Sequence, residues 1–230
     1  MNSVRHETDC CWDYVERSAE GFFIDVSAND PSSESQTCFL EERGWRRILV
    51  EPLGCFYEAL CAARPRSRVF QVACGPPGHP ATAELFVGED SEHSSLRRNT
   101  VDADTRYATA ETVRVLTLDE VLSEAGNPRV DFVSIDVEGL QLDVLRGFDL
   151  ARHRPRLLLV EDHLLTWDTH FHLRGRGYRL VKRTQLNNWY VPDDAAFPRA
   201  GLAERFKLWR KLWPGTPARA FKAWLRRPRS

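Results

Sequence analysis

The chain has 230 residues with 42% hydrophobic content, enough to bury one sizeable core as a single domain with a tail. Its net charge of -1 conceals a division: from Arg199 to Ser230 ten Lys or Arg stand against one acid, Glu204, leaving a body with 22 basic and 32 acidic residues. An acidic body argues against nucleic acid as a partner, and the expected partition is a domain over residues 1–198 and a basic tail over 199–230.

The first twenty residues carry acids and no apolar h-region, so they do not read as a secretory signal. No later run approaches the eighteen or so apolar residues of a membrane span. Six cysteines (Cys10, Cys11, Cys38, Cys55, Cys61, Cys74) form no C-x-x-C pair and read as buried free thiols of a reducing compartment. These features together predict a cytoplasmic protein. Trp12, Tyr14 and Val15 are expected in an N-terminal helix lying against a sheet.

The stretch from Phe22 to Glu51 reads as strand, loop, helix, strand, with a carboxylate at the end of each strand. Phe22, Phe23, Ile24 and Val26 lack polar alternation, which predicts a parallel strand covered on both faces. Ser27 to Ser35 supplies small and turn-forming residues that let a ligand approach the backbone. A helix is expected from about Glu34 to Arg43, stopped by Gly44, and a second strand from Arg47 to Val50 ends at Glu51 and Pro52. This is half of a nucleotide-binding βαβ unit.

The acidic pattern discriminates among nucleotides. A pyrophosphate cradle needs glycines and a bare helix N-terminus, whereas Asp25 and Asp30 would repel two phosphate charges. S-adenosylmethionine has no phosphate, carries a cationic sulfonium and an ammonium, and presents ribose hydroxyls that a carboxylate at the end of the second strand can accept. Asp25 and Glu51 suit those tasks, although an Asp after a strand also commonly caps the next helix.

Further along, Cys55 to Ala63 has helical spacing and Val69 to Ala73 reads as a third strand. Ala83 to Val87 and Thr112 to Leu116 are extended pieces on either side of a polar segment, Gly88 to Ala110, which reads either as a functional loop holding His93 or as disorder. Leu118 to Ala125 predicts a helix ending at Gly126. Val130 to Ile135 is the clearest buried strand, and it delivers Asp136, Glu138 and Gly139 at its carboxyl end, where ligands bind in open α/β sheets. A helix from Leu140 to Arg146 follows. Arg156 to Val160 is a fifth strand, ending in Glu161, Asp162 and His163. Leu164 to Arg174 reads as a helix with Trp167 and Phe171 turned inward, and Gly177 to Lys182 with Asn188 to Val191 as a hairpin at the sheet edge. The alternation of strand and helix followed by a strand pair predicts a Rossmann-like class I methyltransferase fold, a mostly parallel seven-stranded sheet with helices on both faces.

In the tail, Leu202, Phe206, Trp209 and Trp213 recur on one helical face with Arg205, Lys207, Arg210 and Lys211 around them. Pro214, Gly215 and Pro217 are expected to break the helix, and Phe221, Trp224 and Leu225 to start a second short one. Two readings stay open for this stripe. One docks it on the acidic body or on a sister subunit; the other lays it in an anionic membrane surface.

Several blocks, FIDVSANDP, SxTxFLEERGWRRILVEP, VDFVSIDVEGLQLDVLRGFDL, HRPRLLLVE, GYRLV and LNNWYVP, together resemble the FkbM family of S-adenosylmethionine-dependent methyltransferases from about Gly21 to Pro192. In that family a glycine commonly stands where this chain has Ser27, and a D-V-E-G block where it has Asp136 to Gly139. The resemblance implies O-methyl transfer to a hydroxyl of a sugar, a glycan or a polyketide-like metabolite. The alternative is a catalytically silent scaffold of the same fold, motivated by Ser27 and the tail. The expected cofactor-binding set is Asp25, Ser27, Asn29, Asp30, Glu51 and Ala73. The catalytic candidates are Asp136, with Glu138 beside it and His163 as an alternative base. No metal-ligand spacing such as H-x-x-x-H is present, yet two close carboxylates are also a donor pair for Mg²⁺.

Overall fold

The computed structural model describes residues 13–15, 20–31, 35, 37–88, 107–198 and 200–226. Ten strands run in chain order: β1 (Phe22–Val26), β2 (Arg46–Val50), β3 (Arg68–Phe70), β4 (Ala73–Cys74), β5 (Thr82–Gly88), β6 (Tyr107–Leu116), β7 (Phe132–Ile135), β8 (Leu157–Glu161), β9 (Tyr178–Thr184) and β10 (Asn187–Pro192). The helices between and after them are α1 (Cys38–Glu42), α2 (Gly54–Ala63), α3 (Leu118–Glu124), α4 (Gln141–Arg146), α5 (Leu150–His153), α6 (Asp168–Arg174), α7 (Leu202–Leu212) and α8 (Gly215–Arg226).

Seven strands form one sheet in the order β3-β2-β1-β7-β8-β10-β9. β3, β2, β1, β7 and β8 are mutually parallel, and β10 runs antiparallel to both of its neighbours. Their unbroken apolar runs follow from burial on both faces. Ile24, Val26, Ile48, Val50, Val133 and Ile135 pack on one side with Val121 and Leu122 of α3 and Val144 and Leu145 of α4. Their alternates, Phe23, Leu49 and Phe132, pack on the other with Leu40 of α1, Leu60 of α2, and Tyr14 and Val15 of the N-terminal helical residues. Thr117 begins α3 with a capping box, its hydroxyl accepting from Glu120 N–H while the Glu120 carboxylate accepts from Thr117 N–H.

Several expectations need correction. The predicted strand Val69 to Ala73 divides: β3 pairs with β2, while β4 joins β6 and β5 in a separate three-stranded sheet. The terminal hairpin, by contrast, stands at the sheet edge as expected, with β10 beside β8 and β9 outermost. α6 begins at Asp168, not Leu164, and its buried residues are Thr169, His170 and Leu173, whereas Phe171 is 53% exposed. Of the cysteines described, Cys74 is buried but Cys55 and Cys61 are exposed, because α2 turns them away from Leu60. Cys10, Cys11, Trp12, the Gly88 to Ala110 segment from residue 89 to 106, and His93 within it lie outside the described residues.

The tail forms two helices of comparable length, and Pro217 does not break the second. It sits in the first turn of α8, where its missing N–H has no intrahelical acceptor to lose. The elbow between them is docked: Leu212 and Thr216 are buried, and the Trp167 indole N–H donates to Leu212 O at 3.1 Å. Arg219 Nε donates to Leu164 O at 3.3 Å. Among the described residues, no helix is long and apolar enough to cross a membrane.

Candidate functional site

β1, β2, β7 and β8 are parallel and end at one edge of the sheet, and the chain order reverses between β1 and β7. A crevice for a ligand opens at such a switch point. The loop leaving β1 is bent back onto β2, with Ser27 N–H and Ala28 N–H both donating to Val50 O at 2.9 and 3.1 Å. That bend requires left-handed backbone at Ser27 (φ 65°) and Asn29 (φ 51°). Ser27 therefore occupies a conformation that favours glycine, with its Cβ close to its own carbonyl.

The loop is held at its far side by Arg64, which is 4% exposed at the end of α2. Its Nε and Nη2 donate to Pro31 O at 3.1 and 2.6 Å, and its Nη1 reaches Glu41 Oε1 at 3.4 Å. A fork of donors on one carbonyl is a rigid clamp. Arg64 lies 33 positions from Pro31 in the chain, so local patterning gave no sign of this contact.

Glu51, 3% exposed, stands at the end of β2. Asn29 N–H donates to its Oε2 and Leu53 N–H to its Oε1, each at 2.9 Å. Burial pushes this carboxyl up to about 7, against the pull of those two backbone donors. Each oxygen keeps a further lone pair for an incoming hydroxyl. Beside it an apolar cleft is lined by Ser27, Val50, Pro52, Ala73, Leu85 and Leu140. The small sheet contributes Ala73 and Leu85 to this wall.

Asp25 is placed differently. It is buried at the end of β1, and its Oδ2 accepts from the Thr37 hydroxyl at 2.7 Å. Burial raises its pKa, opposed by Thr37, Arg64 and Ser134. Asp30 is half-buried in the same loop.

Asp136 follows β7 directly, and its N–H donates to Val26 O at 3.2 Å, which ties it to the end of β1. Its pKa is raised well above the usual carboxylate range, first by burial and then by Glu161, Glu138 and Asp25. Glu161 is the last residue of β8, and with Ile135 opposite Val160 it stands beside Asp136 as the nearest like charge. Two like charges in one buried site disfavour full ionisation of both, so the protonated form of Asp136 is favoured. Glu138 is half-buried with φ 39°, ahead of Gly139 at φ 84°, so the D-V-E-G turn is left-handed over two residues. His163 is half-buried two residues beyond Glu161. The carboxylate of Asp162 is turned into the chain, Oδ1 accepting from Leu164 N–H at 2.7 Å.

The structure thus lines the cleft with Ser27 and Ala73, sets Glu51 between its lining residues Val50 and Pro52 and bonded to Asn29, and gathers Asp136, Glu138 and Asp25 in an acidic group with Glu161. Among the described residues, no group of three or more His, Cys, Asp or Glu could hold a metal ion. S-adenosylmethionine fits the donor set. Asn29 Oδ1 is buried and has no hydrogen-bond partner among the described residues, an acceptor waiting for a donor. The apolar cleft suits an adenine, Glu51 the ribose hydroxyls, and the surrounding carboxylates a cationic ligand.

The Methyltransferase FkbM domain matches residues 25–180, from the end of β1 into β9. No curated protein matches at a significant level. Among solved structures, the METTL16 MTase domain is 13% identical with a TM-score of 0.45, covering 83% of this chain and 68% of its own. The human methyltransferase 10 domain containing protein is 11% identical with a TM-score of 0.41, covering 83% and 81%. The N-terminal domain of human METTL16 in complex with SAH is 13% identical with a TM-score of 0.44, covering 83% and 70%. Likenesses this distant carry no argument about the site. The match along residues 25–180 does: the chain belongs to the FkbM methyltransferase family and is an S-adenosylmethionine-dependent methyltransferase with a Rossmann-like fold.

Proposed function

We propose that the protein transfers a methyl group to a hydroxyl oxygen of a neutral, hydroxyl-rich acceptor, a sugar or glycan or a polyketide-like metabolite, with the Asp136–Glu161 pair as the base. The observation that carries this reading is the placement of these two carboxyls at the carboxyl ends of the adjacent parallel strands β7 and β8, where Ile135 stands opposite Val160. A hydroxyl is a poor nucleophile until its proton is taken in the transition state, and a carboxylate with a raised pKa is matched to that task.

S-adenosylmethionine, when bound, supplies an electrophilic methyl on a cationic sulfur. Glu51 holds the ribose hydroxyls, Asn29 Oδ1 accepts from a cofactor donor, and the cleft wall from Val50 to Leu140 excludes water from the adenine. Ser27 and Asp30 shape the loop that Arg64 clamps. Asp25 acts from behind, through Thr37, as a positioning residue. Asp136 ionises more readily beside a positive charge and accepts the acceptor's proton, while Glu161 keeps it oriented. Glu138 contributes a further negative charge at the rim, and His163 stands as the alternative base. An acidic rim favours uncharged polyols over phosphate-rich acceptors.

Methyl-labelled S-adenosylmethionine offered with neutral glycans, polyketide-like alcohols and nucleic acid tests the reading. Label in an ether on the alcohol is expected, insensitive to EDTA. Label on nitrogen or in nucleic acid overturns the acceptor class. Loss with EDTA and recovery with Mg²⁺ overturns the carboxylate-base assignment.

A further inference from the structure

α7 carries two apolar lines. Leu208 and Leu212, four apart, face the body, where Leu208 packs beside Val181 and Pro198 and Leu212 is 6% exposed. The larger line, Leu202, Phe206 and Trp209, faces outward, with Leu202 83%, Phe206 63% and Trp209 53% exposed, and it ends at Trp213, which packs against Trp167, His170 and Phe171 of the body. α8 repeats the arrangement. Thr216 is buried at its start, while Phe221, Trp224 and Leu225 are each about 60% exposed. Phe206 stacks on Trp209 and Phe221 on Trp224, so each helix presents a paired aromatic surface.

Charge surrounds these faces. At 100° per residue, Arg205 and Arg210 fall on opposite flanks of the α7 stripe, and Lys207 lies further round. Among the described residues, no ion pair engages Arg205, Lys207, Arg210, Lys211 or Lys222. The pKa of Lys211 is lowered by partial burial and by the crowding of Lys207, Arg183, Arg210 and Arg219, of which Arg183 and Arg219 are also drawn to Asp162. Glu204 is the one acid in the two helices, and it serves the N-terminus of α7 by accepting from Gly201 N–H.

We propose that the two tail helices dock on an anionic lipid bilayer, with their aromatic faces in the interface and the flanking arginines and lysines on the headgroups. Exposed Trp and Phe opposite a basic face is the composition of a helix lying in that plane. A second copy of the chain fits less well. A two-fold contact through this face would bring together two copies of a patch whose charges are basic but for Glu204. The hydrogen bonds from Trp167 and Arg219 at the elbow make this a fixed surface of the body, not a loose tether.

Full-length protein is sedimented with phosphatidylglycerol–phosphatidylcholine vesicles and with phosphatidylcholine alone. Binding to the anionic vesicles only, weakened by high salt, is expected. Arg205→Gln and Arg210→Gln each lower partitioning about fivefold. Trp209→Ser with Trp224→Ser removes binding while the melting temperature stays unchanged, since both side chains are exposed. The proposal fails if the parent stays in the supernatant at low salt, or if the double tryptophan variant pellets as the parent does. A parent that is dimeric, fails to bind vesicles and becomes monomeric in that variant identifies a self-association face instead.

Discussion

Asp136 and Glu161 stand side by side because β7 and β8 pair in parallel with Ile135 opposite Val160, and each carboxylate is the next residue of its strand. The register itself brings the two like charges together, which adds to burial in raising the Asp136 pKa. Asp136→Asn keeps the shape and removes the base, so kcat should fall by roughly 10²- to 10⁴-fold with cofactor affinity nearly unchanged. Isothermal calorimetry beside steady-state rates separates the two. Equal losses in both would mark Asp136 as a cofactor ligand.

The Glu51 carboxyl, raised to about 7 in the folded protein, gives a pH dependence with a definite sign. Acceptance of ribose hydroxyls is strongest from the ionised form, so S-adenosylmethionine should bind about tenfold more weakly near pH 6 than near pH 8. Glu51→Ala should weaken binding by roughly tenfold to a hundredfold and flatten that dependence. Calorimetry at the two pH values checks both.

Without cofactor the same shifts act on stability. Asp25, Glu51 and Asp136 all have folded pKa values raised by burial. Between the unfolded and folded values the native state binds the extra protons. Their contribution is therefore complete below the unfolded pKa and is lost as pH rises through the folded one. For Glu51 that window runs from 4.5 to about 7. The melting temperature of the cofactor-free protein should fall across it, and S-adenosylmethionine should restore part of the loss at the alkaline end. A flat profile would show that these groups are solvated in solution.

Ser27→Gly places the residue that φ 65° favours at the cofactor turn. Relief of the left-handed penalty, about 1 kcal/mol, should raise the melting temperature or at least leave it unchanged, with cofactor affinity equal or better. Weaker binding would reveal the Ser27 hydroxyl as a ligand. It would also remove the ground for regarding this departure from the family's glycine as a step toward a silent scaffold.

Gly21→Ala tests the packing under β1. A Cβ at this position would come within 2.4 Å of the ring of Trp45, which is 1% exposed. Overpacking there should cost about 1–3 kcal/mol, read as a lower denaturant midpoint with an unchanged slope.

Much of this was legible in the sequence because parallel strands buried on both faces are written as continuous apolar runs, and β1, β2, β7 and β8 end where their carboxylates begin. What escaped depends on distant contacts. Nothing local distinguishes Asp25, turned under Thr37, from Glu51, which stands beside the cleft. Glu161 was visible as part of a polar cluster, but its place beside Asp136 requires knowing that β8 lies next to β7. Helical periodicity identified the stripe of α7 without saying which way it faces. The shorter line through Leu208 and Leu212 took the body instead. Phe171 was expected inward on the same reasoning, and it lies beside Trp213 on the outer side of α6, their ring centroids 6.1 Å apart.

The insertion of β10 between β8 and β9 has a consequence for how the chain is made. During synthesis β8 leaves the ribosome well before Asn187–Pro192, and its outer row of N–H and C=O groups has no native strand to bind until that segment appears. β9 emerges earlier but cannot fill the gap, because in the finished sheet it pairs with β10. A nascent or prematurely terminated chain ending before Asn187 therefore presents an open sheet edge beside its most acidic loop, a template for pairing with a neighbouring chain.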